Sequence, residues 1–372
     1  MLAIASEPER APAGGAAAKP AAGVDNRGGD EDPPRGACSV SLRRVLVARK
    51  VGLAGVRWWV TVRQGTRGWA LTSRLLVLAA AVLWGTTGTA QALAPPGAEP
   101  ASVGGIRVLI GGTALLALAV LRSREHWSRA WLSAATALAA VGVAIYQVCF
   151  FAGVARSGVA LGTIVTIGSS PIFAGLFGWV ARRARPEPGW GLATALALTG
   201  AVLLLLPRHE GEVDPVGVAL TLGAGASYAA FAVASKVSID AGRPPLAVMG
   251  VAFSGGALLL SPVVMMSDLS WLQQPRGLAV ALHLGAVTTV LAYVLFGRGL
   301  QGTPVTTAAT LSLAEPLTAA SLGVLVLRER LTGLGVLGAG LLLAGLVILA
   351  WWPARSGQAT ALRREQGASS GQ

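Results

Sequence analysis

Glu315 is the residue whose chemistry stands out in this chain, because it lies halfway along the apolar segment 303–326. An ionised, unpaired carboxylate at the centre of a bilayer is costly, so we expect the side chain to face the interior of a helix bundle. There it could carry a proton or pair with the ammonium group of a substrate. The alternative is a neutral or hydrogen-bonded glutamic acid that caps the backbone freed by Pro316.

The segment around Glu315 has a second copy earlier in the chain. One constant offset matches Ser170 with Glu315, Pro171 with Pro316, Gly178 with Gly323 and Gly200 with Gly345, and a nearly equal offset matches Gly111-Gly112 with Gly255-Gly256. Each proline removes one helical hydrogen bond, so we expect a weak point in both copies, which suits a gating bundle. Duplicated apolar halves with a proline in corresponding segments indicate a membrane transporter.

Further polar and aromatic residues fall inside other apolar segments, where they could line a polar pathway. They are Trp84, Thr87, Gln91, Tyr146, Gln147, Tyr228, His283 and Tyr293. Taken singly, each is explained as well by helix packing or by an interfacial position, and Trp84 stands beside small residues that let helices approach closely. Together they indicate a polar lining.

Arg107 lies within the apolar segment 101–121. The simplest interpretation is a long side chain that reaches the membrane surface. Alternatively, Arg107 pairs with Glu315 or holds the carboxylate of a substrate. An anionic and a cationic group in the same bundle would suit a zwitterion.

Ten apolar segments must position these residues in a chain that is 53% hydrophobic and only 13% charged. Most are about 20 residues long, the length of a helix that spans a bilayer. The predicted spans are 75–94, 101–121, 132–153, 158–180, 189–207, 215–235, 245–266, 277–297, 303–326 and 333–352. We therefore predict an all-α polytopic membrane protein, because only helices satisfy their own backbone in lipid in an open chain.

The Lys and Arg residues of the short loops predict how the chain is threaded. Loops on the side of the N-terminus hold nine of them, against five in the loops on the other side. Cytoplasmic loops carry the excess of positive charge, so both termini are predicted to be cytoplasmic in a cell membrane. Each half then has five helices, an odd number, and the two halves are inverted repeats.

The repeats are predicted at 74–207 and 208–352, with tails on both sides. Residues 1–73 and 353–372 lack an apolar period and are expected to be disordered. Residues 43–63 are the exception, since their basic residues recur every seventh position and predict an interfacial helix. A poorly ordered leader, or a start codon placed too far upstream, explains this segment equally well.

Several function classes lack their motifs. The chain has no phosphate-binding Gly-x-x-x-x-Gly-Lys loop, no Gly-x-Ser-x-Gly elbow and no His-Glu-x-x-His pair. Cys38 and Cys149 lie far apart, and three histidines form no metal-ligand cluster, so we expect no cofactor, metal or disulfide framework. The net charge of +13 is explained by membrane-flanking residues, so we expect lipid and a small-molecule substrate as partners and no nucleic acid. A homodimer is left open.

At these residues the chain resembles the EamA family of the drug/metabolite transporter superfamily, over roughly 74–352. The residues that carry the resemblance are Trp84-Gly85, Arg107, Pro171, Glu315-Pro316 and the run Leu327-Arg328-Glu329-Arg330-Leu331. The resemblance implies a ten-helix secondary transporter, often an exporter of amino acids, other metabolites or toxic compounds. It also implies proton exchange as a common mechanism.

The chain departs from the family pattern at one helix end, since Ala184 stands where the repeat mate of Glu329 would be a glutamate. We expect an alternating-access carrier with Glu315 in or beside its central cavity. A receptor or scaffold that transports nothing is the alternative, which the lack of a folded soluble domain disfavours. An intramembrane enzyme ranks third, since no catalytic constellation is recognisable.

Overall fold

The computed structural model of the chain describes residues 67–122, 131–182, 186–205, 214–326, 328 and 330–351. The predicted interfacial helix at 43–63 and the tail 353–372 lie outside these ranges, as do Ala184 and Glu329. The predicted N-terminal tail also lies outside them up to residue 66.

Within the described ranges the protein is all-helical, and its ten helices correspond one by one to the ten predicted spans. They are α1 (Arg67–Ala92), α2 (Pro100–Arg122), α3 (Ala134–Ser157), α4 (Val159–Arg182), α5 (Trp190–Leu205), α6 (Pro215–Asp240), α7 (Pro245–Met266), α8 (Pro275–Gly302), α9 (Val305–Leu325) and α10 (Gly333–Trp351). In these ranges nine helices are long and apolar enough to cross a membrane, and α5 is the shorter one. The predicted fold class is confirmed.

The observed helices differ from the ten predicted spans in three features. Helix α1 begins at Arg67, so the residues just before position 74 are helical and do not belong to a disordered tail. Helix α8 contains a π-helical segment, His283–Leu291. Helix α9 is interrupted at Ser312 and Leu313, where two residues in a turn separate Val305–Leu311 from Ala314–Leu325.

The helix packing has the pattern of a pseudo-two-fold axis between the halves. Helix α3 packs on α6 and α8 packs on α1, while α4 packs on α6 and α9 packs on α1. Helix α2 packs on α7, and α5 packs on α10, so each of these two pairs joins a helix to its own repeat mate. This exchange of partners is what two inverted five-helix repeats produce.

Repeat-related glycines occupy equivalent contacts in the two halves. A Cβ on Gly111 of α2 would lie 2.3 Å from Thr289 Cγ2 of α8, and a Cβ on Gly255 of α7 would lie 2.7 Å from Ala140 Cβ of α3. Small residues at such points let transmembrane backbones approach closely, and the resulting van der Waals contacts favour helix association in lipid. The sequence repeat is therefore also a repeat of contacts.

The closest approach of a glycine to the backbone of a neighbouring transmembrane helix joins α5 to α10. A Cβ on Gly200 would lie 2.3 Å from the backbone nitrogen of Leu342, and a Cβ on Gly345 would lie 2.6 Å from the carbonyl oxygen of Ala193. Both distances are far shorter than a real carbon contact, and both neighbours are backbone atoms. The two helices can pack this way only with glycine at these positions.

We predict that Gly345→Leu destabilises the folded protein by roughly 3 kcal/mol or more, because the new side chain meets backbone that cannot rotate away. Gly340→Leu on the same helix is the matched control, since a Cβ there meets nothing within 4 Å. Thermal unfolding in detergent measures both. Equal unfolding temperatures for the two variants would contradict the α5–α10 packing described here.

Candidate functional site

A polar chamber lies between the two repeats, with a volume of about 60 Å³. Its walls come from α1, α2, α3, α4, α6, α8 and α9, and they bring together most of the residues that the sequence singled out. The lining residues are Trp84, Thr87, Arg107, Tyr146, Thr166, Ile167, Ser170, Tyr228, Tyr293, Ala309, Ser312 and Glu315. The chamber therefore has a carboxylate, a guanidinium and several hydroxyl groups in one small space.

A vestibule of about 480 Å³ connects this chamber to one side of the bundle. It shares Trp84, Arg107 and Glu315 with the chamber, and Gln91 lies on its wall near the end of α1. The vestibule also touches the last turns of α5 and α9 and the first turn of α4. Because these helix ends lie on the same side of an alternating bundle, the chamber is open toward that side.

Glu315 lies in the first turn of the second half of α9, directly after the interruption. Its backbone N–H donates to the carbonyl oxygen of Ser312 at 3.0 Å. The N-terminus of a helical segment carries a partial positive charge, which favours an anionic side chain there. Among the described residues, the carboxylate makes no hydrogen bond or ion pair, so its oxygens are available to a ligand in the chamber.

Gly85 holds α1 against this interruption. A Cβ at this position would lie 2.7 Å from the carbonyl oxygen of Glu315 and 2.5 Å from Thr318 Cβ. Helix α1 therefore touches α9 at the residue that carries the carboxylate, and Trp84 is placed beside it on the chamber wall. The Trp-Gly pair in the sequence thus has a geometric basis.

Arg107 points inward, where Gln147 positions it. Arg107 Nη2 donates to Gln147 Oε1 at 3.0 Å, and Gln147 Nε2 donates to the carbonyl oxygen of Gly104 at 3.0 Å. Gln147 is buried behind Arg107 and does not line the chamber itself. Arg107 and Glu315 face the same space without an ion pair between them, so opposite charges remain separate.

Aromatic rings form much of the remaining wall. All three tyrosines of the chain, Tyr146, Tyr228 and Tyr293, line the chamber together with Trp84. The centroid of the Trp84 ring lies 5.0 Å from that of Tyr293 and 6.4 Å from that of Tyr228. Rings of this kind can attract a ligand cation through their faces.

Two polar chamber residues, Thr166 and Ser312, were absent from the sequence prediction, as were the apolar Ile167 and Ala309. The Tyr228 hydroxyl lies 2.9 Å from Ser312 Oγ, and Ser170 Oγ donates to the carbonyl oxygen of Thr166 at 2.7 Å. Helical spacing could have found both, since Thr166 lies four residues before Ser170 and Ser312 lies three residues before Glu315. Side chains at these separations share a helix face.

His283 lies apart from the chamber lining. Its Nε2 is 2.9 Å from Thr86 Oγ1, and it begins the π-helical segment of α8. π-Helical segments are rare in proteins, and those that occur are often at functional sites. Nothing in the sequence pattern indicated this one. His283 thus belongs to the α1–α8 contact.

The two predicted weak points differ in structure. Pro171 lies inside α4, which continues through it as one helix, whereas Pro316 follows the interruption of α9. Pro316 also lies on the vestibule wall. Only the copy that carries the glutamate is broken in this structure.

We predict that Gln147→Leu lowers the free energy of unfolding by about 1–3 kcal/mol, because it leaves Arg107 and the Gly104 carbonyl without this buried partner. Gln91→Leu is the matched control on the vestibule wall, with an expected change within about 0.5 kcal/mol. Chemical or thermal unfolding in detergent compares the two. Equal losses in both variants would argue against the positioning role of Gln147.

Comparison with known proteins connects this geometry to a family. The EamA-like transporter family matches residues 71–206 and 215–351, one match for each five-helix half. A crystal structure aligns with a TM-score of 0.63 at 22% identity, covering 76% of this chain and 97% of the other. That similarity shows the fold alone.

Several curated relatives are named as transporters. YwfM of Bacillus subtilis (strain 168) is 45% identical over 287 residues, which covers 77% of this chain and 96% of that protein. YicL, an inner membrane transporter of Salmonella typhimurium, is 26% identical over 284 residues, covering 74% and 94%. RhtA of Salmonella typhimurium (strain SL1344), a threonine/homoserine exporter, is 34% identical over 147 residues, covering 38% of this chain and 48% of RhtA.

The family match spans both halves of the chain, and its two segments coincide with the two inverted sets of five helices. The relative from Bacillus subtilis matches over almost its whole length. The chain belongs to the EamA-like transporter family, and it is a multi-pass membrane protein.

Proposed function

We propose that this transporter is a secondary active carrier that exports small metabolites such as amino acids across the cell membrane by alternating access, in exchange for protons. The observation that carries the proposal is the placement of Glu315 and Arg107, unpaired with each other, in one chamber between the repeats. Inverted-repeat transporters hold their substrates at this interface, near the bilayer midplane.

The chemistry of the chamber favours a small zwitterion. Glu315 and the tyrosine and tryptophan rings suit an ammonium group, while Arg107 suits a carboxylate. The chamber of about 60 Å³ is small, and the adjoining vestibule of about 480 Å³ gives side-chain groups of a substrate more room. The name of RhtA, a threonine/homoserine exporter, fits the same substrate class.

The proposed orientation puts both termini in the cytoplasm, as the excess of Lys and Arg in the loops on that side predicts. The vestibule then opens to the outside of the cell. In an export cycle, the substrate enters from the cytoplasm when the opposite side is open and leaves through the vestibule. A proton that binds Glu315 from the outside neutralises the carboxylate and displaces the substrate ammonium.

Counterflow in proteoliposomes tests the proposed function. Vesicles loaded with unlabelled threonine or homoserine should accumulate the labelled form, because a carrier exchanges substrate without net driving force. A panel of other amino acids and metabolites extends the search beyond these two compounds. Absence of exchange for the whole panel, with folded protein in the vesicles, would reject the carrier in favour of a receptor or scaffold.

We predict that Glu315→Gln reduces substrate-dependent proton flux at least tenfold, because the amide neither binds a proton nor attracts an ammonium group at this buried position. Glu99→Gln is the matched control, because Glu99 is exposed and lies outside the helices at the vestibule side. The proton flux of this variant should equal that of the unchanged protein. A pH-sensitive dye in the vesicles reports the flux. Unchanged flux in the Glu315 variant would remove this carboxylate from the mechanism.

A further inference from the structure

A charged network lies at the end of the bundle opposite the vestibule. It joins Arg74 in α1 and Glu187 in the loop between α4 and α5 to the first turn of α9 and the last turn of α10. The side chains of Arg74 and Glu187 are only 3% and 13% exposed. This pair was not among the residues that the sequence singled out.

The contacts of the network are short and span the chain. Arg74 Nη2 donates to Glu187 Oε1 at 3.0 Å and to Oε2 at 2.9 Å, and Thr307 Oγ1 donates to Oε2 at 2.9 Å. Arg74 Nη1 donates to the carbonyl oxygens of Leu349 at 3.1 Å and Ala350 at 3.4 Å. One guanidinium and one carboxylate therefore tie both repeats together at this end.

A buried ion pair is a weak source of net stability, because the loss of hydration offsets much of the attraction. Breaking one partner is nevertheless costly, since the other charge stays buried. Such a pair is therefore favourable in two states only: with the ion pair formed, or with both charged groups hydrated. In a bundle whose chamber is open on one side, the opposite end is where that contact would be needed.

The position of Thr307 connects the network to the chamber. Thr307 lies in Val305–Leu311, the part of α9 before the interruption, while Glu315 lies in the part after it. The network thus holds one part of α9, and the chamber carboxylate is on the other. The turn at Ser312 and Leu313 is where the two parts can change their angle, as short non-helical segments do at hinges.

A recess of about 440 Å³ lies on the same side of the bundle as the network. Thr306, next to Thr307, is on its wall together with Lys236 and Asp240, whose side chains form an ion pair at 3.0 Å. Thr303 also lines it, and its buried hydroxyl has no hydrogen-bond partner among the described residues. The recess therefore places charged and hydroxyl side chains beside the network on that side of the bundle.

We propose that Arg74, Glu187 and Thr307 form the gate that closes the chamber on the side opposite the vestibule, and that this gate must break for the chamber to open there. The proposal rests on the alternating-access function proposed above. Breaking the gate destabilises the state seen here, so the population shifts toward the state that is open to the gate side.

Chemical labelling of a cysteine in the chamber tests this gate. The reporter is Ile167→Cys, which lines both chamber and vestibule, in a chain with Cys38 and Cys149 replaced by serine. A membrane-impermeant maleimide is applied to either face of oriented vesicles. Glu187→Gln should raise the labelling rate from the gate side on the order of tenfold, the factor that one lost charge-assisted hydrogen bond implies.

Thr307→Val removes one donor without changing the charge and should raise the same rate by a smaller factor, so the gate can be tested even if Glu187→Gln fails to fold. Asp214→Asn is the matched control. Asp214 pairs with the exposed Arg156 at 2.7 Å at the vestibule end, and that guanidinium holds the pKa of Asp214 below its usual range. Losing this pair should leave gate-side labelling unchanged.

Unchanged gate-side labelling in folded Glu187→Gln or Thr307→Val, accompanied by a lower unfolding temperature, would overturn the gate and leave the network a static tie. Labelling needs no substrate, so its result is independent of the counterflow panel. A carrier that exchanges substrate but shows no change in labelling would keep the proposed function and lose only the gate.

Discussion

The need of every buried peptide group for a hydrogen-bond partner governs this structure. Lipid offers none, so an interruption such as the one at Ser312 and Leu313 can exist only where protein or a water-filled cavity encloses it. Gly85 of α1 packs against that region, and Glu315 N–H bonds to the Ser312 carbonyl, so part of the freed backbone is satisfied locally. The place of the chamber follows from this constraint, because the broken helix must have the bundle around it.

The two repeats share an architecture and differ in chemistry. Contacts exchange between halves as a pseudo-two-fold axis requires, and matched glycines support them. The chamber itself is unequal, since Ser170 of the first half is bonded to its own helix and Glu315 of the second half is not. A symmetric scaffold thus carries an asymmetric site, with a single carboxylate on one side and a guanidinium held by Gln147 on the other.

The ten spans could be predicted from sequence because hydropathy and the backbone constraint leave little choice of structure. The charge of Glu315 and the repeat also predicted which side chains to consider for the chamber. The π-helical segment of α8 could not be predicted, since it depends on how neighbouring helices pack. The Arg74–Glu187 ion pair could not be predicted for a simpler reason. The two residues lie 113 positions apart, and neither falls in a recognisable motif.

The packing of α5 on α10 has a mechanical consequence. Where Gly200 and Gly345 sit, backbone meets backbone, and no side chain can change rotamer to absorb a displacement. The two helices are therefore coupled as one rigid strut that crosses from the first repeat to the second. We therefore expect the spacing of α5 and α10 to stay constant when the rest of the bundle rearranges.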